Sequence, residues 1–439
     1  VTPGDRIVVQ APKTAEMVIL YAATIQAGAV FLPLNTGYKR DEVAYFVGDA
    51  TPRLIVCDGR NADQMADIAQ DASVLTLNAD GSGTLTEDLD DLPAQFDTAA
   101  RGPDELAALL YTSGTTGRSK GAMLSHDNLL SNTQALTELW QITDKDRLAH
   151  ALPIFHTHGL FVALNTCLLA GASVDFMPGF DLDQMMDALP RATMLMGVPT
   201  FYTRLLSDER LTPERVKNMR LFISGSAPLL AETHTAFTER TGHAILERYG
   251  MTETNMNTSN PYDGERRPGT VGHPLPGVEL RLTDATTGEP VPQGDGGMIE
   301  VRGPNVFKGY WKMPDKTAAE LRETGFFLTG DLGQIADDGY ESNVGREKDL
   351  IITGGYNVYP KEIEDVLNDI PGVLETAEVG IPDSDFGEAI VAVVVPVTGA
   401  CLSADDLGPV VSDKLARFKH PRRYDFVDAL PRNTMGKVQ

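Results

Sequence analysis

Short apolar runs alternate with stretches of helical periodicity from the first residues onward. Residues 7–10, 30–34 and 53–57 have the apolar, β-branched character of strands, and 14–27 and 41–49 between them repeat apolar positions at helical spacing. This alternation predicts a parallel or mixed α/β sheet. Residues 80–105 break the pattern. Asp, Glu, Gly and Thr dominate there, which predicts a solvated connection whose acids lie on the surface rather than around a metal. The αβ pattern resumes with strands at 105–110 and 121–125, a helix over 126–140, a buried strand at 221–224, a helix over 229–241 and a strand at 244–249. From about residue 270, short alternating strands (279–283, 298–302) sit between Gly/Pro turns and predict a β-rich subdomain. Beyond the charged, Gly-led junction at 345–349, strands near 350–352, 373–381, 389–397 and 424–427 and helices over 360–367 and 404–415 form a compact α+β unit. The expected fold class is α/β: a large N-terminal domain of mixed αβ sheets over 1–345, its β-rich part about 270–345, and a small α+β domain over 346–439.

A chain of 439 residues exceeds what one hydrophobic core organises, in keeping with this division. With 42% hydrophobic and 23% charged residues it has an ordinary globular composition. A formal charge of −25 disfavours a nucleic-acid partner and repels anionic membrane surfaces. A site for an anionic ligand must therefore concentrate its own cations. Two longer apolar stretches, 17–34 and 159–176, are interrupted by Gln26, Gly28 and Pro33 and by Asn165, Thr166 and Gly171; each reads as a helix followed by a strand rather than a membrane span. Cys57, Cys167 and Cys401 are far apart, in apolar surroundings and outside any C-x-x-C pattern, which predicts free thiols and a cytoplasmic location. Residues 1–13 are unlike a signal peptide. The chain opens without Met in mid-pattern and stops two residues after Lys437, so further residues are expected at both ends.

Residues 111–121, YTSGTTGRSKG, hold three Gly, five Ser/Thr hydroxyls, one Lys and one Arg between two predicted strands. A glycine-rich connection can turn backbone N–H groups toward one point, where they and the hydroxyls hold phosphate oxygens, with Lys120 adding a point charge. The glycines at 114, 117 and 121 do not fit the Walker A spacing. Residues 117–121 do satisfy G-x-S-x-G, which keeps a serine hydrolase using Ser119 as a remote alternative. That elbow should run straight into a helix, and helical pattern begins only near His126.

The whole string resembles the phosphate-binding signature of the adenylate-forming superfamily, which contains acyl-CoA synthetases, adenylation domains and luciferases. The resemblance implies ATP, held by Thr112, Ser113, Gly114, Thr115, Thr116, Gly117 and Lys120. Further strings agree. ERYGMTE (247–253) resembles the second core motif, in which Tyr249, Gly250 and Met251 lie against the nucleotide, Thr252 faces the α-phosphate and Glu253 holds Mg²⁺ with Thr112 as a second contributor. A carboxylate suits Mg²⁺, which prefers oxygen ligands shared with phosphates. SGSAP (224–228) resembles the adenine-pocket strand end, with Gly225, Ser226 and Ala227 leaving room for a flat base. TGD (329–331) resembles the ribose-binding aspartate, and an ionised Asp331 is acceptor-only, which suits a diol. Arg346 is its expected partner.

GREKDLIITGGYNVYPKEIE (345–364) resembles the hinge-and-loop motif, with Lys348 at the hinge and Gly354 and Gly355 beside a channel for the pantetheine arm of coenzyme A. PRNTMGKVQ (431–439) resembles the terminal catalytic motif, with Lys437 bridging the attacking carboxylate and the α-phosphate. In such enzymes the small C-terminal domain is mobile and closes twice. The implied reaction joins a carboxylate to a thiol through an acyl-adenylate.

Within this superfamily, residues 247–272 and 155–165 resemble malonyl-CoA synthetases. The resemblance implies malonate, with methylmalonate or a short monocarboxylate as alternatives, and places His156 and Arg248 at the acid. A fixed guanidinium can bind a second carboxylate in bidentate fashion. The competing reading pairs Arg248 with an internal acid such as Glu247. His158 is expected to be structural, the H-x-H pair lacks a third zinc ligand nearby, and Arg266 and Arg267 read as surface residues.

Overall fold

The computed structural model describes residues 1–112, 119–284, 287–346, 349–353, 356–383, 387–433 and 438. Its order of strands and helices is that of an α/β chain. The first sheet runs Ser73–Thr76, Leu54–Cys57, Arg6–Gln10, Val30–Pro33, Leu106–Thr112, Lys120–Ser125. All of its neighbours are parallel except the last pair, which is antiparallel. A second sheet runs His273–Pro274, Asn255–Ser259, Leu246–Met251, Leu221–Ser224, Met194–Gly197, Arg147–His150, Ser173–Phe176. It is parallel from Leu246–Met251 onward and antiparallel at the other end.

A four-stranded antiparallel sheet follows, built from Glu279–Thr283, Gly296–Arg302, Phe327–Ile335 and Glu341–Arg346. The β-rich texture beyond residue 270 thus forms a sheet of its own. Sheet membership changes again after Arg346. Ile351–Thr353, Tyr356–Val358, Val373–Asp383, Gly387–Pro396 and Arg423–Phe426 make the last sheet. Helices Pro360–Asn368 and Ala404–Lys414 join its core through Ile363, Leu367, Leu407 and Val411.

Local chemistry explains why several elements start where the sequence places them. Helix His126–Leu139 begins at Ser125, whose side chain accepts from Asn128 N while the Asn128 side chain accepts from Ser125 N. This reciprocal cap satisfies two otherwise orphaned donors. Helix Ala15–Gln26 is capped by Thr14. The apolar stretch 159–176 is a helix followed by a strand, as expected, but its first part, His158–Leu164, is a π-helix with every side chain buried. Helix Ala231–Thr241 starts two residues later than expected, because Leu230 is still extended as its N-cap. Leu246–Met251 likewise begins later than expected and runs on to Met251.

Cys57 and Cys167 are buried, whereas Cys401 is exposed rather than in apolar surroundings. Arg266 is not a surface residue: its half-buried guanidinium donates to the carbonyls of Ala244 at 2.9 Å and Tyr262 at 3.1 Å. Arg267 remains at the surface, paired with Asp338 at 2.7 Å. Among the described residues no helix is long and apolar enough to cross a membrane.

Candidate active site

The glycine-rich loop is held by a β-hairpin. Strands Leu106–Thr112 and Lys120–Ser125 pair antiparallel with Thr112 opposite Lys120, so the loop leaves and re-enters the same sheet edge. Ser113, Gly114, Thr115, Thr116 and Gly117 lie outside the described residues. The hairpin removes the hydrolase alternative, because the chain after Ser119 enters a strand and not the helix a nucleophile elbow requires. The backbone carbonyl of Ser119 accepts from Tyr45 Oη at 2.9 Å.

Lys120 points into a polar cluster drawn from three distant parts of the chain. Its Nζ donates to Tyr310 Oη at 3.1 Å and lies 3.4 Å from both Glu320 carboxylate oxygens. Tyr310 Oη is 2.6 Å from Glu320 Oε2 and 3.1 Å from Glu253 Oε1. One phenolic proton cannot serve both carboxylates. Burial pushes the Glu253 carboxyl up from its ordinary value. Burial opposes ionisation of Glu320 too, but hydrogen bonds from Lys316 and Tyr310 and the Lys120 charge hold it below its ordinary value. The phenol donates to one carboxylate at a time, and the shorter contact marks Glu320 as its acceptor. Nothing in the local sequence signals Tyr310 or Glu320, which lie 190 and 200 residues from Lys120.

The second motif forms strand Leu246–Met251, a turn at Thr252, and an antiparallel return along Asn255–Ser259. A Cβ at Gly250 would lie 1.9 Å from the Asn255 carbonyl oxygen, so the bulge between Tyr249 and Gly250 admits only glycine there. Tyr249 is buried and donates from its hydroxyl to Asp331 Oδ2 at 2.7 Å. Asp331 sits on strand Phe327–Ile335 in register with Arg346 of the next strand. The sequence-selected tyrosine, aspartate and backbone of Arg346 are thus brought together, 82 residues separating the first two. Met251 and Thr252 are half-buried beside them.

Successive strand side chains point to opposite faces, so Arg248 faces away from Tyr249. Arg248 is 4% exposed, and its Nε and Nη2 have no hydrogen-bond partner among the described residues. The guanidinium lies across Gly225, where a Cβ would be 2.3 Å from Cζ. Burial brings its pKa down to about 9, so it still carries its proton at neutral pH. The competing pairing with Glu247 does not occur. Glu247 accepts from Gly269 N at 3.4 Å, and burial raises its carboxyl to about 8. An unpaired buried charge costs several kcal/mol, so this arrangement suits a ligand that supplies the missing anion.

Gly225 is buried, with Ser226 and Ala227 half-buried after it. Ser226 takes a left-handed backbone, φ 70°. His158 Nδ1 is 3.2 Å from Ser226 Oγ. His156 accepts at Nδ1 from His158 N at 3.2 Å, which leaves its ring proton on Nε2. Thr157 between them donates to Asn255 Oδ1 at 2.8 Å, tying this segment to the second motif's return strand. The H-x-H pair therefore sits at the entry to the π-helix and not on a strand, and among the described residues no His, Cys, Asp and Glu cluster could hold a metal by itself. Glu253 is a single acidic ligand, which fits Mg²⁺ only as an ion shared with phosphates and water. Lys348, Gly354, Gly355 and Lys437 lie outside the described residues.

Comparison with known proteins identifies the family. The family model described as AMP-binding enzyme matches residues 1–311, and the AMP-binding enzyme C-terminal domain matches 362–437. The crystal structure of ATP-bound MatB from Rhodopseudomonas palustris superimposes with a TM-score of 0.98 at 58% identity, covering 100% of this chain and 88% of that one. The malonate–CoA ligase of Arabidopsis thaliana is 34% identical over 99% of this chain and 78% of its own length. A feruloyl-CoA synthase from Amycolatopsis is 35% identical over 100% of this chain and 88% of its own. The fold is that of these enzymes, a large N-terminal and a small C-terminal part, and the chain belongs to the AMP-binding enzyme family.

Proposed function

We propose that this protein is an ATP-dependent acid–thiol ligase that converts malonate and coenzyme A to malonyl-CoA, releasing AMP and pyrophosphate. The observation that carries the choice of acid is the buried guanidinium of Arg248, whose Nε and Nη2 have no hydrogen-bond partner among the described residues. Between the two curated relatives identity does not decide it, since the malonate ligase is 34% and the feruloyl-CoA synthase 35% identical to this chain. A monocarboxylate would leave the buried cation unpaired, whereas the distal carboxylate of malonate neutralises it.

In the first half-reaction one malonate carboxylate attacks the α-phosphorus of ATP, forming malonyl-adenylate as pyrophosphate leaves. The glycine loop, Thr112 and Lys120 receive the phosphates, Thr252 faces the α-phosphate, and Gly225, Ser226, Ala227, Tyr249, Gly250 and Met251 enclose the base. Asp331 and Arg346 take the ribose hydroxyls. Glu253, with Thr112, would hold Mg²⁺, whose positive charge offsets that of the phosphates. Lys437 stabilises the charge shared between carboxylate and α-phosphate. In the second half-reaction the thiol attacks the acyl carbon and AMP departs. Residues 346–439 form the lid, with the β-rich part of 1–345 next to it. The lid turns about Lys348 to withdraw Lys437 and bring Gly354 and Gly355 beside the pantetheine arm. We place the reaction in the cytoplasm, where the exposed Cys401 stays reduced.

The test is a panel of acids, assayed for acid-dependent AMP and acyl-CoA formation: malonate, methylmalonate, acetate and ferulate. Malonate is expected to give the highest kcat/KM, with methylmalonate second. Preference for acetate or ferulate would overturn the choice of acid while leaving the ligase chemistry in place.

A further inference from the structure

Arg248 is not alone in lacking partners. The ring of His158 is fully buried, and its Nε2 likewise has no hydrogen-bond partner among the described residues. The two side chains meet the same turn at neighbouring residues. Arg248 covers Gly225, and His158 Nδ1 contacts Ser226 Oγ at 3.2 Å. Burial, then the charge of Arg248, then His156 and His150, hold the imidazole neutral. A neutral imidazole has one N–H and one acceptor. With the Ser226 hydroxyl donating to Nδ1, the proton sits on Nε2, and three donors are left unused: Arg248 Nε, Arg248 Nη2 and His158 Nε2. A single carboxylate has enough lone pairs to accept all three.

We propose that His158 is a specificity-determining residue that also couples the two substrates: Nε2–H binds the distal carboxylate of the diacid beside Arg248, while Nδ1 holds Ser226 of the nucleotide turn. This rests on the malonate reading above. A neutral donor suits the position, since a second buried cation next to Arg248 would add desolvation cost without a second anion. Hydrogen bonding of Nε2–H to an anion strengthens Nδ1 as an acceptor. The left-handed Ser226 is a backbone state non-glycine residues seldom adopt, so a firmer tie there orders the turn that receives the base. Diacid binding therefore tightens ATP binding, and linkage requires the reverse by the same factor.

The experiment measures the affinity of α,β-methylene-ATP by calorimetry with and without saturating malonate, alongside malonate and acetate kinetics. Wild type should bind the analogue about fivefold tighter or more with malonate, the lower end of usual coupling, and acetate should give no change. His158→Asn, whose amide can replace Nδ1 but does not reach the Nε2 position, should lose both the coupling and about tenfold of the malonate-over-acetate preference. Ser226→Ala should lose the coupling and keep the preference. Retention of coupling in Ser226→Ala overturns the proposal even if His158→Asn fails to fold, and so does an unchanged acid preference in a folded His158→Asn. A wild-type enzyme that forms no malonyl-CoA removes the diacid reading itself, before any variant is made.

Discussion

Arg220 precedes one strand and Arg248 lies within its parallel neighbour, and the two have opposite surroundings. Arg220, just ahead of Leu221–Ser224, donates to both oxygens of Asp146 at 2.8 Å and to the carbonyls of Trp140 and Gln141. Its donors are spent on the protein, and it ties the end of helix His126–Leu139 to the sheet. Arg248, one strand along, is more deeply buried and spends neither Nε nor Nη2 among the described residues. Folding has matched the first cation with an anion and left the second waiting. The lesson is that two buried guanidinium groups are told apart by their unpaired donors and not by burial alone.

The comparison can be broken most directly by removing both arginines. Arg248→Leu is expected to lower kcat/KM for malonate on the order of 10²- to 10³-fold, as truncation of a charge partner does. It should leave the unliganded fold as stable or more stable, since an unpaired buried charge is gone. Arg220→Leu should do the reverse, costing about 3 kcal/mol by stranding Asp146, with the malonate KM of the folded fraction unchanged. Denaturant melts and steady-state kinetics on both variants would expose the difference. If both lose stability alike, the contrast fails.

Gly225→Ala addresses the contact between turn and guanidinium. A Cβ there meets Cζ at 2.3 Å, Nη1 at 2.5 Å and Nε at 2.6 Å, so Arg248 must move. KM should rise roughly tenfold for malonate and also for ATP, one kcal/mol-scale displacement felt on both sides of the turn. A rise for one substrate only would separate the two pockets.

Titration sharpens the same contrast. The Arg248 pKa of the free protein is brought down to about 9 by burial. Above that pH the guanidinium loses the charge that attracts a carboxylate, so malonate KM should climb through pH 9 in wild type and stay flat in Arg248→Leu. The smallest effect concerns Glu341, buried next to Asp331 with its carboxylate oxygens unpartnered among the described residues. Burial raises it to about 8. The folded state thus holds a proton that the unfolded state has lost between the ordinary carboxyl value and 8. Stability from this group is present at acid pH and lost as pH rises to 8. Glu341→Gln should raise the melting temperature by a few degrees at pH 9 and change it little at pH 4.

Much of the fold was legible from local pattern. The capping residues Thr14 and Ser125, the strands flanking the Gly-rich stretch and the strand that carries Tyr249 each carry their reason within a few residues. The motifs likewise selected Tyr249, Asp331, Glu253 and Arg248 without coordinates. They were silent where the partner is distant: Tyr310 and Glu320, which meet Lys120 across the fold, gave no sign at all.

What the chain determined by itself is its alternation of strands and helices and its family, because backbone preference and short motifs act over neighbouring residues. Only the tertiary structure decided which polar groups are satisfied. Satisfaction is a property of groups meeting across long stretches of chain, as Lys120 meets Tyr310 over 190 residues, whereas Arg248 Nε and Nη2 meet no partner among the described residues. Desolvation makes that difference large, and it arises only once the fold has closed over the charge.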